Sequence, residues 1–191
     1  MLGGNEGVAA FSNIILEFLE AVVHQVLFVR GVYESDTFEE RRLYETIVHK
    51  SRHPGVVEYV NSVVSSLKAS LDAGNLQSFN VVFSDADETL LAKMVLEFKL
   101  RLDDVRELET VFRNLLRNLS IQNSSLTPLP QDATFEIVVC TKKGGGLGLD
   151  VWCEEVASDL NLSQTPAKCT PIKSIDLGSA LQLHLAIVEK G

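Results

Sequence analysis

Phe11, Ile14, Ile15, Phe18, Val22, Val26 and Val29 recur at steps of three and four residues, which sets them on one face of a long first helix that Gly31 ends. The run from Ile14 to Val29 is also the most apolar of the chain, yet Glu17, Glu20, His24 and Gln25 interrupt it. Charges at such intervals are too costly for a membrane span. With no basic region and small-residue cleavage site ahead of it, the run does not read as a secretory signal either. It reads instead as a core helix of one domain, since a chain of 191 residues buries roughly 70% of the surface it exposes when unfolded. A hydrophobic share of 46% with 23% charged residues is that of an ordinary globular protein.

Further elements follow from local patterning. A charged connector from Glu34 to Arg42 leads to a short alternating run, Tyr44, Thr46 and Val48, which predicts a strand. Pro54 suits the first turn of a second helix whose core face is Val56, Val60, Val63, Val64, Leu67 and Leu71, with Gly74 as its stop. Phe79, Val81 and Phe83 alternate, Asp85-Ala-Asp-Glu-Thr89 forms a polar turn, and Met94, Leu96, Phe98 and Leu100 alternate again, as in a hairpin with one buried face. Asp103 or Asp104 caps a third helix with Val105, Leu108, Phe112, Leu115, Leu116 and Leu119 inside and Arg106, Arg113 and Arg117 outside the apolar stripe. Phe135, Ile137 and Val139 predict another strand, and Leu181, Leu183, Leu185 and Ile187 a terminal one. Between them, Lys142 to Leu177 has a glycine run, one Trp, two Pro and little periodicity. Long stretches of this kind inside a compact domain are commonly functional or disordered.

The chain shows no pattern for catalysis, metal or cofactor. His24, His49, His53 and His184 are scattered, none at a ligand spacing such as HExxH, and His53 before Pro54 reads as a helix-entry residue. Asp85, Asp87 and Glu88 lack the calcium-loop pattern and fit a hairpin turn. Lys142-Lys-Gly-Gly-Gly-Leu-Gly148 lacks the Gly-Lys-Ser/Thr ending of a phosphate loop and reads as a hinge. Cys140, Cys153 and Cys169 are odd in number without CxxC spacing, which suits a reducing compartment. Three Asn-x-Ser matches, at Asn118, Asn123 and Asn161, read as chance. With 17 basic against 26 acidic residues, the net charge of -9 opposes direct nucleic-acid binding.

Taken in order, Leu16-Glu-Phe-Leu-Glu-Ala-Val-Val-His24, Val29-Arg-Gly-Val-Tyr33, Glu40-Arg-Arg-Leu-Tyr44 and His53-Pro-Gly-Val-Val-Glu-Tyr59 resemble the HORMA family. Phe79 to Phe83, Glu97-Phe98, Thr134 to Thr141, Pro171-Ile-Lys173 and the terminal Leu-rich strand continue the match over nearly the whole chain. Within the family the likeness is to the accessory-subunit branch of DNA polymerase zeta, through the context of Tyr33 and the His53-Pro54 helix entry. The resemblance implies an α+β fold, three helices on an antiparallel sheet, in a single domain over 1–191: a core over 1–141, then a seatbelt and terminal strand over 142–191.

The same resemblance implies a non-catalytic adaptor in translesion DNA synthesis and the DNA damage response, located in the nucleus and also in the cytoplasm. Its seatbelt would wrap a proline-containing peptide of the polymerase zeta catalytic subunit, with Tyr33, Tyr59 and Trp152 at the matching aromatic positions. A second surface for the C-terminal domain of a Y-family scaffold polymerase falls on Cys169, His184 and Ala186, and a dimerisation contact with the same or another HORMA protein on Arg113. An AAA-type ATPase is the implied remodeller. Two rivals stand beside this reading: a spindle-assembly-checkpoint HORMA protein, and a small hydrolase using Cys140 or Cys153.

Overall fold

The computed structural model describes residues 4–100, 108–122, 126–142, 167–176 and 181–190, arranged in two compact units, Met1–Gly74 with Arg101–Pro128 and Asn75–Leu100 with Leu129–Gly191.

The first unit is built on α1 (Gly4–Arg30), which has the expected apolar face. Burial extends beyond that stripe to Leu19, Val23 and Leu27, because α1 is packed by helices and strands on several sides. By length and composition α1 is apolar enough to cross a membrane, but its apolar side chains are enclosed as in a core helix. Gly31, at φ +64, ends it, and its N–H bonds the Phe28 carbonyl at 3.1 Å.

After a short 3-10 turn (Ser35–Thr37) come β1 (Phe38–Leu43) and β2 (Thr46–Ser51), an antiparallel pair. Here the structure corrects two expectations. The charged stretch ending at Arg42 is itself a strand, since in a two-stranded ribbon most of β1 faces outward and needs no apolar alternation. Tyr44 is not in a strand but forms the hairpin turn with Glu45, at φ 46 and 58. This left-handed pair usually calls for Asn or Gly, so the turn carries no sequence signal.

Helix α2 (Pro54–Ser66) buries Val56, Val60 and Val64. The expected single helix is interrupted at Leu67 and resumes as α3 (Lys68–Asp72), keeping Leu67 and Leu71 buried, before Gly74 turns at φ +65. Later in the chain α4 (Leu108–Ile121) buries Leu108, Phe112, Leu115, Leu116 and Leu119 as expected. Its Phe112 stacks on Phe18 with centroids 3.9 Å apart. The expected caps, Asp103 and Asp104, with Val105 and Arg106, lie outside the described residues.

In the second unit β3 (Leu76–Ser84), β4 (Leu90–Leu100), β5 (Thr134–Thr141), β6 (Ala167–Asp176) and β7 (Leu181–Lys190) form one sheet in the order β5-β3-β4-β7-β6. All neighbours are antiparallel. Phe79, Val81 and Phe83 pair with Leu96, Met94 and Ala92, and all six are buried, as the alternation requires. Asp85 makes the polar turn, its Oδ1 accepting the N–H groups of Asp87 at 3.0 Å and Thr89 at 2.8 Å. In β5, Ile137, Val138 and Val139 are buried in succession, so both of its faces are covered rather than one. A further correction is β6, which occupies part of the segment expected to be irregular. Pro171 hides the strand in the sequence, and β6 tolerates it by standing at an end of the described sheet with a register shift between Pro171 and Lys173.

Candidate functional site

Tyr33 follows the end of α1, where Gly31 and the bond from the Val32 N–H to the Leu27 carbonyl at 3.3 Å redirect the chain. That redirection brings Tyr33 parallel to the imidazole of His53, with centroids 6.5 Å apart and planes 10° from parallel. The imidazole is itself fixed, because its Nδ1 accepts the Val56 N–H at 3.4 Å and so caps α2. Gly55 leaves it room: a Cβ there would lie 3.3 Å from His53 Cε1. Burial pushes the Tyr33 hydroxyl above the ordinary tyrosine range. Tyr59 lies further along α2 and is 37% exposed, because Val56, Val60 and Val64 take the inward positions. The structure thus places Tyr33 and Tyr59 at the start and along the outside of α2, while Trp152 lies outside the described residues. The Tyr33–His53 stack joins two segments distant in sequence, and only the helix-entry role of His53 was readable from its position before Pro54.

Arg113 stands on α4 and is half-buried. It donates to Glu45 in the hairpin turn and approaches Thr110 Oγ1 at 3.4 Å, so it is engaged within the chain.

In the second unit, Cys169 lies on β6, and His184 and Ala186 lie on β7. Backbone register sets Cys169 opposite Val188, Ala186 opposite Pro171, and His184 opposite both Ser174 and Glu97. These three positions therefore lie along one strand pair. Cys153 is outside the described residues, and Cys140 is half-buried on β5.

One polar group was not expected to matter. Glu17, Glu20, Ala21 and His24 of α1, together with Leu43 and Lys50, line a pocket of about 280 Å³ against the hairpin. Lys50 Nζ bonds Glu20 Oε1 at 2.7 Å, and the Tyr44 hydroxyl bonds Glu17 Oε2 at 3.0 Å. His24 is 1% exposed with no hydrogen-bond partner among the described residues at either ring nitrogen, and desolvation lowers its pKa to about 4. Glu20 opposes that shift and Lys50 adds to it. Among the described residues, no group of three His, Cys, Asp or Glu side chains is placed to hold a metal ion.

A family model described as the HORMA domain matches residues 12–108, just over half of the chain. An Arabidopsis thaliana protein named DNA polymerase zeta processivity subunit is 26% identical over 181 residues, which cover 90% of this chain and 83% of that protein. The Danio rerio protein named mitotic spindle assembly checkpoint protein MAD2B is 23% identical over 194 residues, with 94% and 90% covered. Among solved structures, a chain of a mitotic checkpoint complex superposes with a TM-score of 0.79 at 21% identity, covering 94% of this chain and 98% of that one. C. elegans HTP-2 bound to the HIM-3 closure motif superposes with a TM-score of 0.68 at 12% identity, covering 93% and 89%. At these identities the structural likenesses establish the α+β fold.

Proposed function

The chain belongs to the HORMA domain family, and from that premise we propose that it is a nuclear, non-catalytic adaptor that captures a proline-containing segment of the polymerase zeta catalytic subunit. It links that subunit to the C-terminal domain of a Y-family scaffold polymerase in translesion synthesis and the DNA damage response. The relatives named as polymerase zeta subunits in Arabidopsis thaliana, Schizosaccharomyces pombe and Drosophila melanogaster support the polymerase assignment.

The observation that carries peptide capture is the route of the chain. It leaves the sheet from β5 at one end of the strand order and rejoins it through β6 at the other. Crossing that width takes four strand spacings, about 19 Å. Residues 143–166, which make the connection, have a fully extended reach of about 80 Å. The excess length supports a seatbelt that passes over a bound peptide while main-chain hydrogen bonds hold that peptide as an added strand. HTP-2, of the same fold, was solved with a closure motif bound, which supports capture of a partner segment.

In this reading Tyr33, Tyr59 and Trp152 hold the proline, whose flat apolar face suits aromatic partners and which loses little entropy on ordering. Cys169, His184 and Ala186 belong to the surface for the scaffold polymerase. Arg113 serves dimerisation with the same or another HORMA protein, which requires it to exchange Glu45 for a partner group. An AAA-type ATPase resets the adaptor.

A spindle-checkpoint role is the second reading, favoured by the name of the Danio rerio relative. Purification of the tagged chain from its native cells separates the two by the mass of what accompanies it. A polymerase catalytic subunit is the expected companion. Recovery of mitotic-checkpoint proteins alone would overturn the polymerase reading.

A further inference from the structure

Three of the five prolines follow a threonine, at Thr127-Pro128, Thr165-Pro166 and Thr170-Pro171. Thr170 is half-buried in β6 and paired opposite Ile187, and Thr165 lies outside the described residues. Thr127 differs in its surroundings. It is exposed, as are Pro128 and Pro130, in the connection between α4 and β5, and Thr127 to Pro130 belong to neither helix nor strand. Thr127 and Leu129 each precede a proline, which steers them from helical to extended backbone, while the rings of Pro128 and Pro130 lock φ in a range that extended chain also uses. All four residues therefore favour the polyproline II conformation. Leu126 and Ala133 are buried on either side of the stretch, and the Ala133 N–H bonds the Pro130 carbonyl at 3.1 Å.

The chemistry around Thr127 is selective in two ways. From Asn118 to Thr141 the sequence has no Lys or Arg, and the acid nearest to Thr127 along the chain is Asp132. A kinase that reads basic residues beside its acceptor has nothing to hold here. What the stretch does offer is a proline directly after the hydroxyl. Pro128 has no N–H, so a kinase whose cleft needs that donor is excluded, whereas one with an apolar recess at this place gains a rigid ring that loses little entropy on binding.

We propose that Thr127 is a phosphorylation site for a proline-directed kinase. In the reaction Thr127 Oγ attacks the γ-phosphorus of the kinase's ATP. The new O–P bond forms as the bond to the β-phosphate oxygen breaks, ADP leaves with that electron pair, and the hydroxyl proton passes to the kinase's catalytic carboxylate. The extended stretch suits this transfer, since in-line attack requires the acceptor chain to enter the cleft clear of its own helix or sheet. The product adds about two negative charges to a loop that carries no Lys or Arg. It stands past the last turn of α4 and beyond the reach of that helix's dipole, so the modification leaves the fold intact and changes what the surface presents to a partner. The inference goes beyond peptide capture, since Tyr33, Tyr59 and Trp152 take no part.

The test incubates the intact chain, and separately a synthetic peptide covering Gln122 to Ala133, with ATP and either an activated mitogen-activated protein kinase or a kinase that requires arginine before its acceptor. Peptide mass spectrometry then maps the phosphate. The proline-directed kinase is expected to label Thr127 of the intact chain at a rate within about tenfold of the peptide's, because the stretch is already exposed and extended. Pro128→Ala should slow labelling by about tenfold or more, Thr127→Val should abolish it at this position, and Thr127→Ser should retain it. The arginine-requiring kinase should leave Thr127 unmodified. A peptide that is not labelled, an intact chain labelled more than about tenfold slower than the peptide, phosphate on Thr165 or Thr170 but not on Thr127, or indifference to Pro128→Ala would each overturn the proposal. Thermal unfolding supplies the last check: the phosphorylated chain should keep the midpoint of the parent, and a clear fall would show that the phosphate disrupts the fold and that the site is not one for modification of the native chain.

Discussion

Gln25 Oε1 accepts the backbone N–H of His49 at 2.8 Å, so a buried amide on α1 satisfies the edge of β2, and its Nε2 donates to Ser120 Oγ on α4 at 3.1 Å. One side chain thus ties three elements of the first unit together. Gln25→Leu keeps the volume but leaves the His49 N–H unpaired, at a cost of about 1–3 kcal/mol. Urea denaturation checks this, and a loss within experimental error would show that the amide is dispensable.

His24 makes stability depend on pH. Its folded pKa, about 4, lies below the ordinary histidine value of 6.5, so as pH falls through that window the unfolded chain takes up a proton that the native state refuses. Stability is therefore lost on acidification, by roughly 2 kcal/mol between pH 6.5 and 5. His49 acts in the same direction, its pKa lowered by desolvation against the opposing charge of Glu40. His24→Leu should flatten the acid limb of stability against pH, and an unchanged slope would assign that limb to other groups.

Tyr44 gives the opposite limb. Its hydroxyl meets Glu17 Oε2 at 3.0 Å and the Ile14 carbonyl at 3.3 Å, and burial, followed by the Glu17 charge, raises its pKa well above the tyrosine range. The unfolded chain ionises first, so stability present below about pH 10 falls as pH rises past it. Tyr44→Phe should cost about 1–2 kcal/mol at neutral pH and reduce the alkaline loss. Equal alkaline slopes for the two chains would exclude Tyr44 as the cause.

The helices were legible because Phe11 to Val29, Val56 to Leu71 and Leu108 to Leu119 bury apolar residues at three- and four-residue steps, which periodicity reports directly, although α1 is packed on further sides that the stripe did not show. Strand β1 was not, since its Glu-Glu-Arg-Arg core faces outward and shows no alternation. Nor was its turn, where Tyr44 and Glu45 take a conformation usually left to Asn and Gly and are held in it by Glu17 and Arg113. β6 was masked by Pro171, which only a strand at the end of a sheet accommodates. At the site, the His53 cap followed from its place before Pro54, whereas its stacking on Tyr33 depends on tertiary structure. The polar residues of α1 read only as interruptions of an apolar run, yet Gln25 is the fastener between α1, β2 and α4.

Peptide capture by a seatbelt predicts a change in cleavage between Gly144 and Thr170. Limited proteolysis followed by mass spectrometry should show slower cutting there once a tightly binding peptide is added, with cutting elsewhere little changed. Equal cleavage with and without the peptide would count against enclosure by this segment.

The most direct measurement is isothermal titration of a proline-containing peptide of the polymerase zeta catalytic subunit into the intact chain and into its Tyr59→Ala, Trp152→Ala and doubly substituted forms. Saturable one-to-one binding is predicted, with each single substitution weakening it by about thirtyfold, or ~2 kcal/mol, and the two losses less than additive because both rings hold one proline. Absence of binding to the intact chain, or near-unchanged affinity in both single variants with their fold intact by circular dichroism, would contradict the account.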